Sequence, residues 1–333
     1  MVPLSVLDLA PVSPGASPRE AIRDAVALAQ RCDALGYARY WFAEHHSMPT
    51  IATSAPEVLV AHVAAVTTRI RVGTGGIMLP NHNPLRLVEI FRTLEALHPG
   101  RIDFGVGRAP GTDPVTASAL QGGTQKNPNV HLMELLAFEN SDFPDDHPFK
   151  SIVPMPSDVR LPPVWMLGST MAGAGIAASL GLQYAFAGHF AMRDAHEALS
   201  MYRSQFQRGN SGQEARAILA VTVICGEDIE HAQNLILPLK LAIVRNRMGQ
   251  RSQVSSMDEA LGYRFSPEEE RLAAQFFEGA IIGGPDQVRV GLKRLVNDYE
   301  PDELMVAAFL PDRGERLRAF ERIAMIAGLG PES

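Results

Sequence analysis

The sequence predicts one α/β domain folded as a TIM (β/α)8 barrel, and three observations predict it. Eight short apolar runs with strand character alternate with helical stretches, at the spacing of parallel strands joined by crossover helices. Unusual residues gather at three consecutive strand ends: Glu44-His45-His46, Gly75-Gly76 and Gly105-Val106-Gly107-Arg108. No internal repeat, low-complexity tract or linker divides the 333 residues. A doubly wound open sheet is the alternative architecture.

Residues 3–9 form a continuous apolar run, the first strand, and residues 11–18 a turn-rich loop. Ser17-Pro18-Arg19-Glu20 is a helix start, with Ser17 as cap and Pro18 at the first position. Ile22, Val26, Ala29 and Leu35 give the helix its apolar face, and Gly36 stops it. Residues 40–43 are the second strand. Ser54, with Pro56 and Glu57, opens a helix to about 67. Residues 70–79 are the third strand, 84–97 a helix and 102–106 the fourth strand. After a long gap come a strand at 164–167, a helix at 171–180 and a strand at 183–187. A helix at 194–206, a strand at 217–225 and a long helix at 228–248 follow. The chain finishes with a helix at 286–299, a strand at 303–309 and a helix at 315–327. Two stretches exceed the repeat: an insertion after strand four at 111–160, and residues 249–284 between helix seven and helix eight. Long insertions at one barrel rim commonly wall or cover a site, and can also be plain decoration.

Composition narrows the function. The chain is 46% hydrophobic with a net charge of −7, so it offers no basic footprint for nucleic acid. Lysine is confined to Lys126, Lys150, Lys240 and Lys293, an arginine bias that reflects codon composition. The two cysteines, Cys32 and Cys225, give neither a disulfide framework nor a metal-knuckle spacing, which fits a reducing, cytoplasmic setting. Met-Val-Pro-Leu-Ser has no basic region and no long apolar core, so no signal peptide is expected, and no apolar run is long enough for a membrane span.

Barrel chemistry sits past the carboxyl ends of the strands. The candidates there are Asp8, Glu44, His45, His46, Asn81, His82, Arg108, Ser169, Thr170 and His189. His45-His46 could bind a metal, yet adjacent residues on an extended segment point to opposite sides and no HExxH pattern accompanies them, so no metal site is expected. One of the two as proton donor or acceptor is more economical, and a satisfied loop histidine is the plain alternative. Paired glycines at 75–76 mean either close backbone approach or a bulge. Gly168-Ser169-Thr170 before a helix is an anion site or a simple cap. Arg108 supplies its counter-charge or a surface salt bridge. Gly105-x-Gly107-x-x-x-Gly111 nearly copies a dinucleotide fingerprint, but its third glycine is one residue late and falls in the turn Ala109-Pro110-Gly111-Thr112-Asp113-Pro114. A nicotinamide site is therefore not expected.

Three motifs carry a resemblance: Tyr40-Trp41-Phe42-Ala43-Glu44-His45-His46, Arg71-Val72-Gly73-Thr74-Gly75-Gly76-Ile77-Met78-Leu79-Pro80-Asn81, and Gly100-Arg101-Ile102-Asp103-Phe104-Gly105-Val106-Gly107-Arg108. In order and length they resemble the bacterial luciferase-like flavin monooxygenases, and Arg108-Ala109-Pro110-Gly111-Thr112 is similar to the branch nearest luciferase. The resemblance implies a barrel binding reduced FMN (FMNH2) at its carboxyl rim. Gly75-Gly76 matches a non-prolyl cis peptide beside the flavin ring. Gly107 and Arg108 match the strand end that meets the flavin phosphate, and Ser169 and Thr170 match the phosphate-binding helix start. His45 matches the catalytic histidine. Leu167, Gly168, Phe186, Gly188 and His189 are expected to line the flavin pocket.

The implied chemistry is activation of O2 as a flavin C4a-hydroperoxide, followed by hydroxylation, epoxidation or Baeyer–Villiger oxygenation of a small organic substrate. His45 would serve as acid and base, residues 249–284 as a mobile lid, and a separate NAD(P)H:flavin reductase as the source of reduced flavin. A homodimer, formed through the helices after strands two and three, is a family expectation. The arginine- and alanine-rich composition resembles actinomycete proteins, among which such enzymes act in antibiotic biosynthesis. Residues 122–136, including Gln125-Lys126-Asn127-Pro128-Asn129, depart from the usual family text. So does Met171-Ala172-Gly173-Ala174-Gly175, which leaves phosphate binding to Arg108 and backbone amides. Competing readings are a deazaflavin-dependent hydride transferase, a non-catalytic flavin-binding protein and a metal-dependent barrel hydrolase.

Overall fold

The computed structural model describes residues 1–123, 127–208, 214–249 and 254–330. Among the described residues there are ten strands: β1 Leu4–Asp8, β2 Arg39–Phe42, β3 Arg71–Thr74, β4 Ile77–Met78, β5 Ile102–Gly107, β6 Val164–Gly168, β7 Gln183–Ala187, β8 Ala217–Cys225, β9 Ile281–Gly283 and β10 Glu303–Ala307. Every pairing between them is parallel. The ring β1-β2-β3-β5-β6-β7-β8-β10 closes where β10 pairs with both β8 and β1. These are the eight strands of the predicted barrel, and β4 and β9 extend its carboxyl rim along β5 and β8. The open-sheet alternative is excluded by that closure.

Helix starts follow local chemistry. Ser17 forms the expected capping box with Glu20 over Pro18–Leu35, and Gly36 ends that helix in the left-handed region at φ 87°. Ser54 does not cap its helix. Pro56–Val66 begins one residue later, behind Ala55 and with no side-chain cap. The helix expected over 228–248 is broken in two, Ile229–Leu235 and Leu237–Arg247, because Pro238 has no N–H to continue the ladder. Helix Pro128–Asn140 lies within the stretch 111–160 and packs against Pro84–Leu97. The pair Gln125-Lys126 lies outside the described residues, as do residues 250–253 of the stretch 249–284.

Two cores result. The larger fills the space between barrel and helices, and a smaller one plugs the lumen with Leu7, Trp41, Trp165, Ile218 and Met305. Trp41 on β2 and Trp165 on β6 meet edge to face across the lumen at 5.4 Å. Beneath them the amino-terminal end is closed by charges. Arg39 bonds Asp103 at 2.8 Å and Glu303 at 2.8 Å, and Arg71 bonds Asp103 at 2.6 Å. Trp41 Nε1 donates to Asp103 at 3.1 Å. The carboxyls of Asp103 and Glu303 are fully buried, so the paired guanidiniums are what make their ionised forms tolerable there. This floor separates the lumen from solvent below and leaves the carboxyl rim as the open end.

Candidate active site

Glu44, two residues beyond the end of β2 at Phe42, is fully buried and organises the rim. Its carboxylate accepts from Met78 N at 2.8 Å, Asn81 Nδ2 at 3.0 Å, His46 Nε2 at 2.8 Å and His82 Nε2 at 2.9 Å. A carboxylate only accepts, so both imidazoles must present N–H to it. Burial pushes the Glu44 carboxyl upward, but the hydrogen bonds and charge of His82, with those of His46 and Met78, outweigh it and hold the group below its usual value. His82 is moved the opposite way: burial lowers it, and the bond to Glu44 raises it overall. These contacts tie the β2 loop to the segment that follows Gly75-Gly76.

That segment is where the expected third strand, 70–79, breaks. β3 ends at Thr74, the Gly75-Gly76 peptide is cis, and β4 resumes at Ile77. Thr74 Oγ1 donates to Gly105 O at 2.8 Å and accepts from Gly105 N at 3.1 Å, replacing ladder bonds with a side chain. A β-carbon on Gly75 would lie 2.7 Å from Leu7, and one on Gly76 would lie 2.8 Å from the Gly105 carbonyl oxygen. At position 76 the obstacle is backbone, so barrel packing itself demands glycine there, whereas at position 75 it is the end of the Leu7 side chain with Trp41 at 3.2 Å behind it. At Gly107 a β-carbon would meet only the flexible end of the Met78 side chain at 3.0 Å.

Arg108 extends from the end of β5 to the start of helix Met171–Ser179. A β-carbon at Gly173 would sit 3.5 Å from its Nη2. Thr170 caps this helix by accepting from Gly173 N, so the cap reading of Gly168-Ser169-Thr170 holds for Thr170. Among the described residues Arg108 has no acidic partner. A free guanidinium thus lies over the positive end of a helix whose first turn holds no acidic residue. Leu167 leans over Gly105, and Gly168 lies against Tyr184.

His45 leaves Glu44 toward a cavity of about 470 Å³. Its backbone N–H donates to Thr53 O at 2.8 Å, which fixes the loop, while its ring Nδ1 is buried without a partner. Burial is the main influence on the ring and lowers its pKa. His189, in the short turn of helix after β7, is pushed down to about 4, by burial first. The cavity wall is largely apolar, formed by Leu9, Ile51, Phe309, Phe276 and the helix face Leu239, Ala242 and Ile243, with Asn246 the polar member of that face. No lysine or arginine is among its described lining residues.

The structure therefore brings Glu44, His46, Asn81 and His82 into one cluster, with His45 facing the cavity beside it. It keeps Asp8 out. Asp8 bonds Arg316 at 2.6 Å and accepts from Tyr40 Oη, tying β1 to the last helix. Among the described residues no group of three His, Cys, Asp or Glu side chains is arranged to hold a metal, and no helix is long and apolar enough to cross a membrane. The cavity wall was not among the sequence candidates. Its signal was present, since positions 239, 242, 243 and 246 repeat at i, i+3, i+4 and i+7.

Residues 2–299 match the sequence model of the luciferase-like monooxygenases. A luciferase-like monooxygenase of Escherichia coli K12 is 38% identical over 323 residues, covering 96% of this chain and 95% of that protein. The N-acetyl-S-alkylcysteine monooxygenase of Bacillus subtilis is 32% identical, covering 97% and 98%. Among solved structures, apo-MsnO8 superposes with a TM-score of 0.89 at 33% identity, covering 99% of each chain. Two more distant structures share the fold alone. One is the FMN-bound oxygenating constituent of 3,6-diketocamphane monooxygenase from Pseudomonas putida (TM-score 0.71, 18% identity, 99% and 98% covered). The other is an F420-dependent secondary alcohol dehydrogenase (TM-score 0.65, 13% identity, 98% and 97% covered).

Proposed function

The chain belongs to the luciferase-like monooxygenase family, and from that premise we propose that it oxygenates a small, uncharged organic substrate, using O2 and reduced FMN delivered by a separate NAD(P)H:flavin reductase. The observation that carries this reading is the meeting, at one rim, of an unpaired Arg108 over the Thr170–Gly173 helix start with an apolar cavity faced by His45. The FMN-bound structural neighbour and the relatives named as monooxygenases point the same way. Bound reduced flavin would supply the electrons that activate O2 for transfer of one oxygen atom.

The chain's own residues divide the remaining work. Arg108, Ser169, Thr170 and the amides of the first helical turn bind a phosphate. Gly75, Gly76, Gly107, Leu167, Gly168 and His189 would line the ring. His45 carries the proton exchanged during oxygenation, because its Nδ1 has no competing partner. The walls from Leu239 to Asn246, with Phe276 and Phe309, exclude water. Val254 and Phe276 belong to residues 249–284 and line the cavity, which supports a lid role for that stretch. With no described lysine or arginine in the lining, a carboxylate substrate finds no counter-charge there.

The test is an anaerobic absorbance titration with photoreduced FMN, followed by mixing with air-saturated buffer. Binding, followed by a slowly decaying transient distinct from both reduced and oxidised FMN, supports the reading. Tight binding of reduced deazaflavin with none of FMN would overturn it.

A further inference from the structure

The helix that walls the cavity also carries the cations that hold its cover. Leu239, Ala242, Ile243 and Asn246 of helix Leu237–Arg247 face the cavity. At about 100° per residue, Lys240 and Arg245 fall on opposite flanks of that face. Lys240 Nζ bonds the Glu270 carboxylate at 2.6 Å and lies 4.3 Å from the centre of the Phe265 ring. Arg245 donates to Ser255 Oγ at 2.7 Å and to the Glu259 carboxylate at 2.7 Å. All of these partners belong to residues 254–278, which give Val254 and Phe276 to the cavity wall.

Apolar burial contributes little to holding that stretch. Its two helices, Met257–Gly262 and Pro267–Phe276, each bury one residue fully, Ala260 and Ala273. An alanine brings only a methyl group to a core. Inside the stretch, Tyr263 Oη donates to Glu269 at 2.7 Å and Ser266 forms a capping box with Glu269, so the second helix is tied to the loop before it. The Lys240 and Arg245 side chains are sheltered, 15% and 25% exposed, whereas Glu270 and Glu259 are 52% and 48% exposed. A third tie, Arg193 to Glu278 at 3.0 Å, is open to solvent at both ends. Pairs of this kind are individually weak and are screened by salt.

We infer that Lys240 and Arg245 are positioning residues that latch residues 254–278 over the cavity, so that access to the cavity is set by two salt-sensitive ion pairs rather than by apolar packing. Release of both pairs frees the helix Pro267–Phe276 and takes Phe276 out of the wall. A latch this weak opens often enough to exchange small molecules and still covers the cavity most of the time. The inference deepens the lid role proposed above by naming what holds the lid. Its test needs no flavin, so its failure would leave the monooxygenase reading standing.

Hydrogen–deuterium exchange of the full chain, read by mass spectrometry, compares wild type with the double variant Lys240→Gln, Arg245→Gln. At low salt the amides of helix Pro267–Phe276 are expected to exchange roughly three- to tenfold faster in the variant, the worth of two surface ion pairs, with β8 unchanged. Raising salt to about 1 M is expected to speed the same amides in wild type and to leave the variant nearly as it was. Exchange at the wild-type rate in the variant, salt acceleration of equal size in both proteins, or an equal acceleration in β8 would each overturn the latch. Should the double variant not fold, Glu259→Gln with Glu270→Gln removes the same pairs from the exposed side and is read in the same way.

Discussion

Glu44 and Met78 are joined by a 2.8 Å hydrogen bond from the Met78 backbone N–H to the Glu44 carboxylate. The bond links the loop that carries His45 to the chain leaving the cis Gly75-Gly76 peptide. Two strand ends that come separately in sequence thereby become one surface.

Replacing Glu44 by Gln turns one acceptor oxygen into a donor facing N–H groups. The variant is expected to lose roughly 1–3 kcal/mol of stability, the cost of leaving buried polar groups unpaired. Urea denaturation measures it. A loss within error of zero would show that the cluster does not hold the rim together.

The same cluster sets a pH dependence. Glu44 is lowered from its usual 4.5, so its contribution is present above that value and is lost as pH falls through the folded pKa. His82 is raised from its usual 6.5, so its contribution is complete below that value and fades as pH rises through the folded pKa. Between 4.5 and 6.5 both contribute in full. The stability difference between wild type and His82→Ala is expected to be widest in that window and to shrink above it, in denaturation curves collected across pH. A gap that grows toward alkaline pH would contradict the assignment.

His45, lowered by burial, is neutral at pH 7, and the acid limb of kcat/KM is expected to have its midpoint below 6.5. His45→Asn should remove that limb and reduce kcat by roughly 100- to 10,000-fold. A variant retaining both the limb and the rate would show the proton is carried elsewhere.

Arg108→Ala is expected to weaken FMN binding by about 10- to 150-fold, the equivalent of about 1.5–3 kcal/mol for a charge-assisted hydrogen bond. Riboflavin, which lacks the phosphate, should bind wild type and variant alike. Equal losses for both ligands in a calorimetric comparison would place Arg108 away from the phosphate.

At the opposite end, Asp103→Asn leaves Arg39 and Arg71 short of a counter-charge. Removing one partner of a buried ion pair costs about 3–5 kcal/mol. Chemical denaturation should show it, and a loss below about 1 kcal/mol would mean Glu303 alone compensates Arg39.

The sequence determined the barrel, because strand and helix periods are local. The apolar runs at 183–187 and 217–225 and the helix at 84–97 are found as expected, down to their ends. It also marked the rim, since residues just past strand ends are the ones a parallel barrel exposes on one side. What it could not decide was partnership. Asp8, Glu44 and Asp103 are equally plain acidic residues in the text. Tertiary structure alone gives Asp8 to Arg316, makes Glu44 the acceptor for His46 and His82, and sets Asp103 between Arg39 and Arg71. Nor could the text tell that glycine at position 76 is demanded by the backbone of Gly105, 29 positions away. Charge pairing and steric exclusion act over a few ångströms of space, whereas periodicity acts along the chain, so only closure of the ring brings those residues within reach.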